Sequence, residues 1–404
     1  MAVMHQASFR PAMFIAALLC STAVHAEDAV VTPYADLRYR LELVDQDGID
    51  EQATASTFRI RAGLKTAEWQ GFSGVVEGEA IVPLGAVNYN DTVNGKTVYP
   101  VVADPSDVLL NQAFVRWKPV AQVEAFAGRQ AVNLDNQRWI GSVGWRQNDQ
   151  TLDAARVTLR AAKGATLDYM HAWRVNRVFG PDSPQGIWRD TAINAVRGAY
   201  TIKNIGTLSA YGYWLDLPPQ PASSSKTLGV RIAGELPAGK GFALLYSAEY
   251  ARQHNYAGNP RQFALAYLLI EPGLKAGRVT IKAGFERLEG NGTVALQTPL
   301  ATLHAFNGWA DKFLTTPANG LRDVYLDAAY KVAGKGPLKG LTLRGVWHDY
   351  RSTTGAFNYG QEWNALASYP LNKTFTVSAK FARYEANSFA TDTTKAWFTI
   401  EAKF

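Results

Sequence analysis

The chain has 404 residues, 47% of them hydrophobic and 12% aromatic, with 34 glycines and a formal net charge of +6. No apolar run of roughly 18 residues follows the N-terminal segment, which excludes a membrane-spanning helix. The one cysteine, Cys20, leaves no disulfide scaffold and no zinc–thiolate site. A charge this mild for the length gives no reason to expect a nucleic-acid partner.

Residues 1–26 read as a secretory signal peptide. Arg10 is the only charged residue before Glu27, Met13–Cys20 is a short apolar run, and Val24-His25-Ala26 is a small-residue cleavage site. The alternative of a lipoprotein anchored through Cys20 is opposed by Leu19, which is too large for the position before a lipidated cysteine. Cleavage after Ala26 removes the only cysteine and leaves residues 27–404 as one unit, with no linker and no composition shift. Glu27 and Asp28 read as a frayed end.

From Ala35 onward one period repeats. Ala35–Leu43 alternates charged and apolar residues, as does Thr57–Lys65, with Arg59, Arg61 and Lys65 on one face. Glu77 and Glu79 follow on the next segment; with the turn centred on Trp69, Arg61 would lie opposite Glu77 and Arg59 opposite Glu79. The pattern recurs in Asn111–Trp117 and Val123–Gln130, joined across Lys118-Pro119, and in a further series ending with Lys395–Phe404. The count is about eighteen strands, of the length that crosses a bilayer.

The connections alternate between short and long. Short ones such as Thr66–Gly71, Lys163-Gly164 and Leu371–Lys373 mostly carry Gly, Pro or Asn, the residues turns need. Long ones are Pro83–Asp107, Asn133–Gln150, Phe179–Asp190 and Glu289–Gly320. A soluble sandwich has no reason to sort loop length by end. A transmembrane antiparallel β-barrel does, with short periplasmic turns and long extracellular loops. The predicted fold is therefore an all-β barrel of about 18 strands, enclosing water and ending on Phe404. Tyr34, Trp69, Trp117, Tyr200, Tyr267, Tyr330, Tyr369 and Trp397 lie near strand ends and are expected to form interfacial girdles.

Two blocks carry a family likeness. Tyr89–Ala155 contains LNQAFVRW and GRQAVNLDNQRWIGSVGWRQNDQTLDAAR, and Phe285–Asp323 contains FERLEGNG and TPLATLHAFNGWADKFLTTPANGLRD. They resemble the alginate export family of bacterial outer-membrane porin-like proteins, in its compact branch. The resemblance implies an eighteen-stranded barrel with an arginine-rich lumen and the passage of an acidic polysaccharide, alginate, across the outer membrane.

Alternation assigns the lumen-facing side chains. The basic ones are Arg38, Arg40, Arg59, Arg61, Lys65, Arg116, Arg129, Arg156, Arg160, Arg174, Arg197, Arg231, Lys282, Arg344, Lys380 and Lys395. The acidic ones are Asp36, Glu42, Glu77, Glu79, Asp168, Glu249, Glu286, Asp323, Asp327, Glu362 and Glu401. An excess of guanidinium groups would draw anionic solutes; the plainer reading is that the charges pair with one another and stiffen the wall. In the loops, Arg138, Trp139, Trp145 and Arg146 interleave cations with aromatics, which suits sugar stacking and also suits ordinary packing.

Little points to catalysis. The four histidines after residue 26 are His171, His254, His304 and His348; no HExxH or GxSxG motif occurs. Asp45-Gln46-Asp47-Gly48 fails as a calcium loop because Ile49 stands where an oxygen ligand belongs. No cofactor and no metal are expected.

Glu289–Gly320 is too long and too apolar to be left in water. Apolar residues from Leu300 to Leu314 fall at spacings of three and four, which predicts a short amphipathic helix at the barrel mouth. Its polar side, with His304, Asn307, Asp311 and Lys312, would face the channel and Trp309 would lie in the constriction.

The sequence thus reads as a monomeric outer-membrane channel in contact with lipid. It passes hydrophilic solutes, preferentially anionic saccharides. A general diffusion porin, an inert or adhesive barrel and a membrane-embedded hydrolase are the alternatives.

Overall fold

The structure is a computed structural model, and it describes residues 30–404. The expected signal peptide, residues 1–26, and Cys20, Glu27 and Asp28 lie outside the described residues.

Strands β1 (Val31–Gln46), β2 (Ala53–Thr66), β3 (Phe72–Pro83), β4 (Asp107–Val120), β5 (Val123–Gln130), β6 (Thr151–Ala162) and β7 (Ala165–Asn176) come first. A two-residue segment, β8 (Ile187–Trp188), follows, then β9 (Ala192–Ile202), β10 (Gly206–Asp216), β11 (Ser225–Pro237), β12 (Phe242–Asn255) and β13 (Ala264–Ala276). The chain continues through β14 (Val279–Leu288), β15 (Leu321–Lys331), β16 (Thr342–Arg351), β17 (Asn358–Pro370), β18 (Phe375–Ala386) and β19 (Thr393–Lys403). Because β8 only extends the loop end of β7, β7 pairs directly with β9, and eighteen long antiparallel strands remain. β19 pairs with β1, Glu401 opposite Arg38, and closes the sheet. Closure leaves no strand edge unpaired, as a lipid environment requires.

The burial pattern is that of a barrel wall turned inside out. In β2, Thr57, Arg59 and Arg61 are buried, whereas Leu64 is exposed. Elsewhere Val76, Val115, Leu208, Leu228, Val230, Leu244, Ile270, Leu326 and Phe398 all point outward and are exposed. Arg59 and Arg138 are among the largest fully buried side chains. Apolar atoms on the outer face and charges on the inner face suit a wall between lipid and a polar lumen.

The longest loops gather at one end as the sequence indicates, although the connection 332–341 at the other end is longer than 47–52, 352–357 and 387–392. Connections 84–106, 131–150, 177–191 and 289–320 lie at one end; two-residue turns 121–122, 163–164 and 277–278 lie at the other. Exposed Trp69, Trp117, Tyr200 and Tyr330 line the short-turn end.

Four local expectations need correction. The β2–β3 hairpin is centred one residue later than Trp69, because Gln70 and Gly71 take positive φ (49° and 81°) and close the turn. Arg61 therefore faces Glu79, Gly63 faces Glu77 and Arg59 faces Ile81. The shift is by two positions, so the side chains keep their faces. The β4–β5 turn falls at 121–122, since β4 runs through Lys118-Pro119 to Val120. Tyr267 and Trp397 are buried and do not join a girdle; Tyr267 donates to Glu286 Oε1 (2.6 Å) inside the barrel. Finally, 300–314 forms no amphipathic helix. Only Leu303–Ala305 makes a single 3₁₀ turn, and positive φ at Asn307, Gly308 and Asp311 (54°, 88° and 62°) stops it from propagating.

Candidate functional site

Loops 131–150 and 289–320 fold into the barrel and meet there. Ile140 and Leu300 form a parallel bridge, Gly141 N–H donates to Leu300 O (2.9 Å), and Thr302 N–H donates to Gln137 O (3.1 Å). Their apolar residues Trp139, Ile140, Leu296, Leu300, Trp309 and Phe313 are buried with inner-wall Tyr211, Tyr267, Tyr350 and Tyr384. The hydrophobic core of the protein is thus in the lumen, at the long-loop end.

Two walls of opposite character hold these loops. On the β1–β2 side, Arg38 donates to the carbonyls of Gly144, Trp145 and Arg146 (3.2, 3.1 and 2.8 Å), and Arg40 donates to that of Trp145. Arg61 pairs with Glu79 and reaches Asp149 at 2.7 Å. On the β12–β17 side, carboxylates receive the loops. Trp139 Nε1 donates to Glu249 (2.7 Å), Arg138 pairs with Glu286 (2.9 Å), and Asn307 Nδ2 donates to Glu286 and Asp323 (2.6 and 3.0 Å). Ala310 N–H donates to Glu362 Oε1 at 2.8 Å. Gly308 lets the chain pass here; a Cβ on it would lie 2.3 Å from both Glu362 Oε2 and the Tyr350 hydroxyl.

Between the walls lies a cluster built on Trp145. His304 stacks on its ring with centroids 3.3 Å apart, and Arg146, Arg40 and the Lys380 ammonium approach the same ring at 4.4, 5.1 and 5.3 Å. Lys380 also sits 4.2 Å from the Trp309 ring and 5.2 Å from that of Trp397. His304 Nε2 accepts from Lys380 Nζ (2.6 Å), and its Nδ1 donates to Asp311 Oδ1 (2.7 Å). Burial, then the Lys380 ammonium, holds the imidazole well below its ordinary pKa, so it is neutral with the proton on Nδ1. Asp311 Oδ2 also takes Lys395 Nζ at 3.0 Å and Arg146 at 3.4 Å. Burial alone would raise the Asp311 carboxyl, but Lys395, His304 and Arg146 outweigh it and hold it well below the carboxylate range. Lys312 donates to Gln46 (3.0 Å); burial, then Lys395, lowers it to about 8.

The other sequence-derived residues are mostly paired. Arg59 meets Asp36; Arg116 and Arg160 share Glu124; Arg129 takes Asp153 (2.7 Å), which Arg174 approaches at 3.8 Å. Arg197 bridges Asp135 and Asp168 (2.6 and 3.1 Å), Arg231 meets Glu249 (3.2 Å), Lys282 meets Glu271 (3.0 Å), and Arg344 meets Asp327 (2.9 Å). Lys65 lies over the Tyr34 ring and Arg156 over Phe126, both at 4.4 Å. Strand alternation missed Glu124, Asp135, Asp149 and Asp153, which are partners for these cations. The charged residues flanking the 131–150 loop were the signal for the last three. Among the described residues, the cations with no carboxylate within 4.0 Å include Arg40, Lys65, Arg156, Arg177, Lys312 and Lys380. His348 turns inward to Asp323, with Nδ1 3.0 Å from both carboxylate oxygens.

Outside this cluster, a cavity of about 310 Å³ opens between loops 84–106, 131–150, 177–191 and 289–320, with Tyr99, Phe179, Leu303 and Leu314 among its walls and His304, Asp311 and Lys312 at its floor.

No family model and no curated relative matches the chain, so the likeness of the two blocks to the alginate export family stays a resemblance. Solved structures do match. Pseudomonas aeruginosa OpdL is 20% identical over 93% of this chain and 98% of its own, with a TM-score of 0.71. Pseudomonas aeruginosa OpdK, solved with vanillate, is 13% identical over 92% and 98%, with a TM-score of 0.72. Acinetobacter baumannii OccAB4 is 12% identical over 94% and 99%, with a TM-score of 0.73. The fold is that of the Occ and Opd outer-membrane porins. At these identities the likeness extends to architecture, eighteen antiparallel strands in a closed barrel with almost no helix. These neighbours are channels and not enzymes.

Proposed function

We propose that this protein is an outer-membrane channel for small hydrophilic solutes, with a preference for anions, acidic saccharides in particular. The porin fold and the charged inner face support passage of polar solutes. The observation that carries the anionic preference is the set of lumen and vestibule cations without a carboxylate partner, Arg40, Lys380 and Lys312 beside the loop cluster and Arg177 above it. Arg177 is stacked between Phe179 and Trp188 (4.8 and 4.2 Å), and burial lowers it to about 10, where it is still charged at neutral pH. Uncompensated cations in a low-dielectric constriction focus field toward anions. The flat aromatic face of Tyr99 in the cavity wall suits the sugar ring.

The seated loops favour small acidic sugars over a polymer. Alginate-type polysaccharide could thread the lumen only after 289–320 leaves it. Bilayer conductance with acidic and neutral oligosaccharides as blockers tests the reading: galacturonate oligomers should block at lower concentration than neutral ones of the same length. Equal block by both would favour a general diffusion porin.

A further inference from the structure

We propose that Asp311 is a built-in occupant of an anion-binding nest, and that an anionic group of the travelling solute takes its place during passage. The nest is formed by His304 Nδ1, Lys395 Nζ and the Arg146 guanidinium, all within 3.4 Å of the Asp311 carboxylate. Behind them stand Lys380, bonded to the other nitrogen of His304, and Arg40, whose Nε and Nη1 are buried without a partner. The inference rests on the anion-channel reading above and names where in the lumen the anion is held.

Three features separate Asp311 from an ordinary structural anchor. First, the loop docks onto the acidic wall through neutral donors, the Asn307 amide and the Ala310 N–H. Between Glu289 and Gly320 it has one carboxylate, Asp311, which meets the cations Lys395 and Arg146, while Lys312 beside it donates to Gln46 of β1. Second, Asp311 is presented from a left-handed backbone conformation, φ 62°, four residues after Asn307 and three after Gly308, also at positive φ. Such a conformation persists only while its contacts hold it. Third, the nest is reachable: Arg146, His304, Asp311 and Lys395 all line the cavity of about 310 Å³ that opens between the long loops. A carboxylate arriving through that cavity would accept the same three donors. Exchange then replaces one set of charge-assisted hydrogen bonds by an equal one, while the displaced Asp311 turns toward water. The three nest donors hold a carboxylate before and after the exchange, so the anion can enter and leave without leaving them unpaired.

The test is single-channel block of the full-length protein in planar bilayers by galacturonate, with galactose as the neutral control. Asp311→Asn keeps the shape and removes the resident anion, so galacturonate should block about tenfold more tightly, with galactose unchanged. Lys395→Met leaves Arg146 and His304 on Asp311 but removes a nest cation, so galacturonate block should weaken about tenfold. Heat-modifiable migration verifies that each barrel is folded, and the second variant serves should the first fail to insert. Galacturonate affinity that is unchanged or weaker in Asp311→Asn, or unchanged in Lys395→Met, overturns the proposal. The channel reading fails separately, if the wild-type pore neither prefers anions in a salt gradient nor responds to galacturonate.

Discussion

Asp311 Oδ2 lies 3.0 Å from Lys395 Nζ, joining the tip of the longest loop to the last strand of the barrel. Through His304 and Arg146 the same carboxylate reaches Trp145 and Glu42, so one loop residue ties both inward-folded loops to the β1–β19 side of the wall. In the proposed channel this seated assembly would narrow the lumen, and conductance should follow how firmly the assembly is held.

Deleting residues 298–316 removes His304, Asn307 and Asp311 together. The barrel strands are untouched, so migration should still change on boiling. Conductance should rise severalfold and discrimination between galacturonate and galactose should fall. Conductance equal to wild type in an inserted deletion variant would place the constriction elsewhere.

Gly308→Val leaves the loop intact but prevents it from seating. The position has φ +88°, and a Cβ would stand 2.3 Å from Glu362 Oε2 and from the Tyr350 hydroxyl. The backbone conformation alone costs a β-branched residue about 1–3 kcal/mol, and the contacts add to it. Current recordings should show a larger or noisier open state, close to that of the deletion.

Arg61 is a stability residue. It is buried, paired with Glu79 and 2.7 Å from Asp149. Arg61→Met leaves two carboxylates without their cation, a loss of about 3–5 kcal/mol. The temperature at which the compact gel band disappears should fall by several degrees, and adding Glu79→Gln should recover part of it.

The sequence made the wall readable and the lumen only partly so. Period-two alternation follows from strand geometry, so the eighteen strands and the inward face of Arg38, Arg59 or Glu286 could be assigned residue by residue. Loop lengths told the two ends apart. Register was harder: the β2–β3 hairpin slid by two positions because Gln70 and Gly71, rather than Trp69, make the turn. The loop interior was harder still. Leu300, Leu303, Phe306, Trp309 and Phe313 have helical spacing, yet the segment is irregular, since its backbone bends to reach Glu362, Asn364, Glu286 and Lys395 on several different strands. Pairs such as Arg138 with Glu286 or Trp139 with Glu249 join positions more than a hundred residues apart, and no local pattern encodes them.

Lys312 gives the lumen a titration in an accessible range. Its pKa is lowered to about 8, so it is charged below that pH and neutral above it. A lumen cation favours anions, so anion preference should decline as pH rises from 7 to 9, and Lys312→Met should remove that part of the decline. The sign for stability is opposite. Between about 8 and the ordinary lysine value of 10.5 the unfolded chain binds the extra proton, so the Lys312 contribution to stability rises with pH.

The central claim is an anion-preferring pore, and the reversal potential of the wild-type channel in a potassium chloride gradient tests it most directly. At low ionic strength, where screening is weak, the potential should take the sign of chloride permeation, and it should move toward zero when Arg40 and Lys380 are both neutralised. A wild-type reversal potential with the sign of potassium permeation would contradict the account.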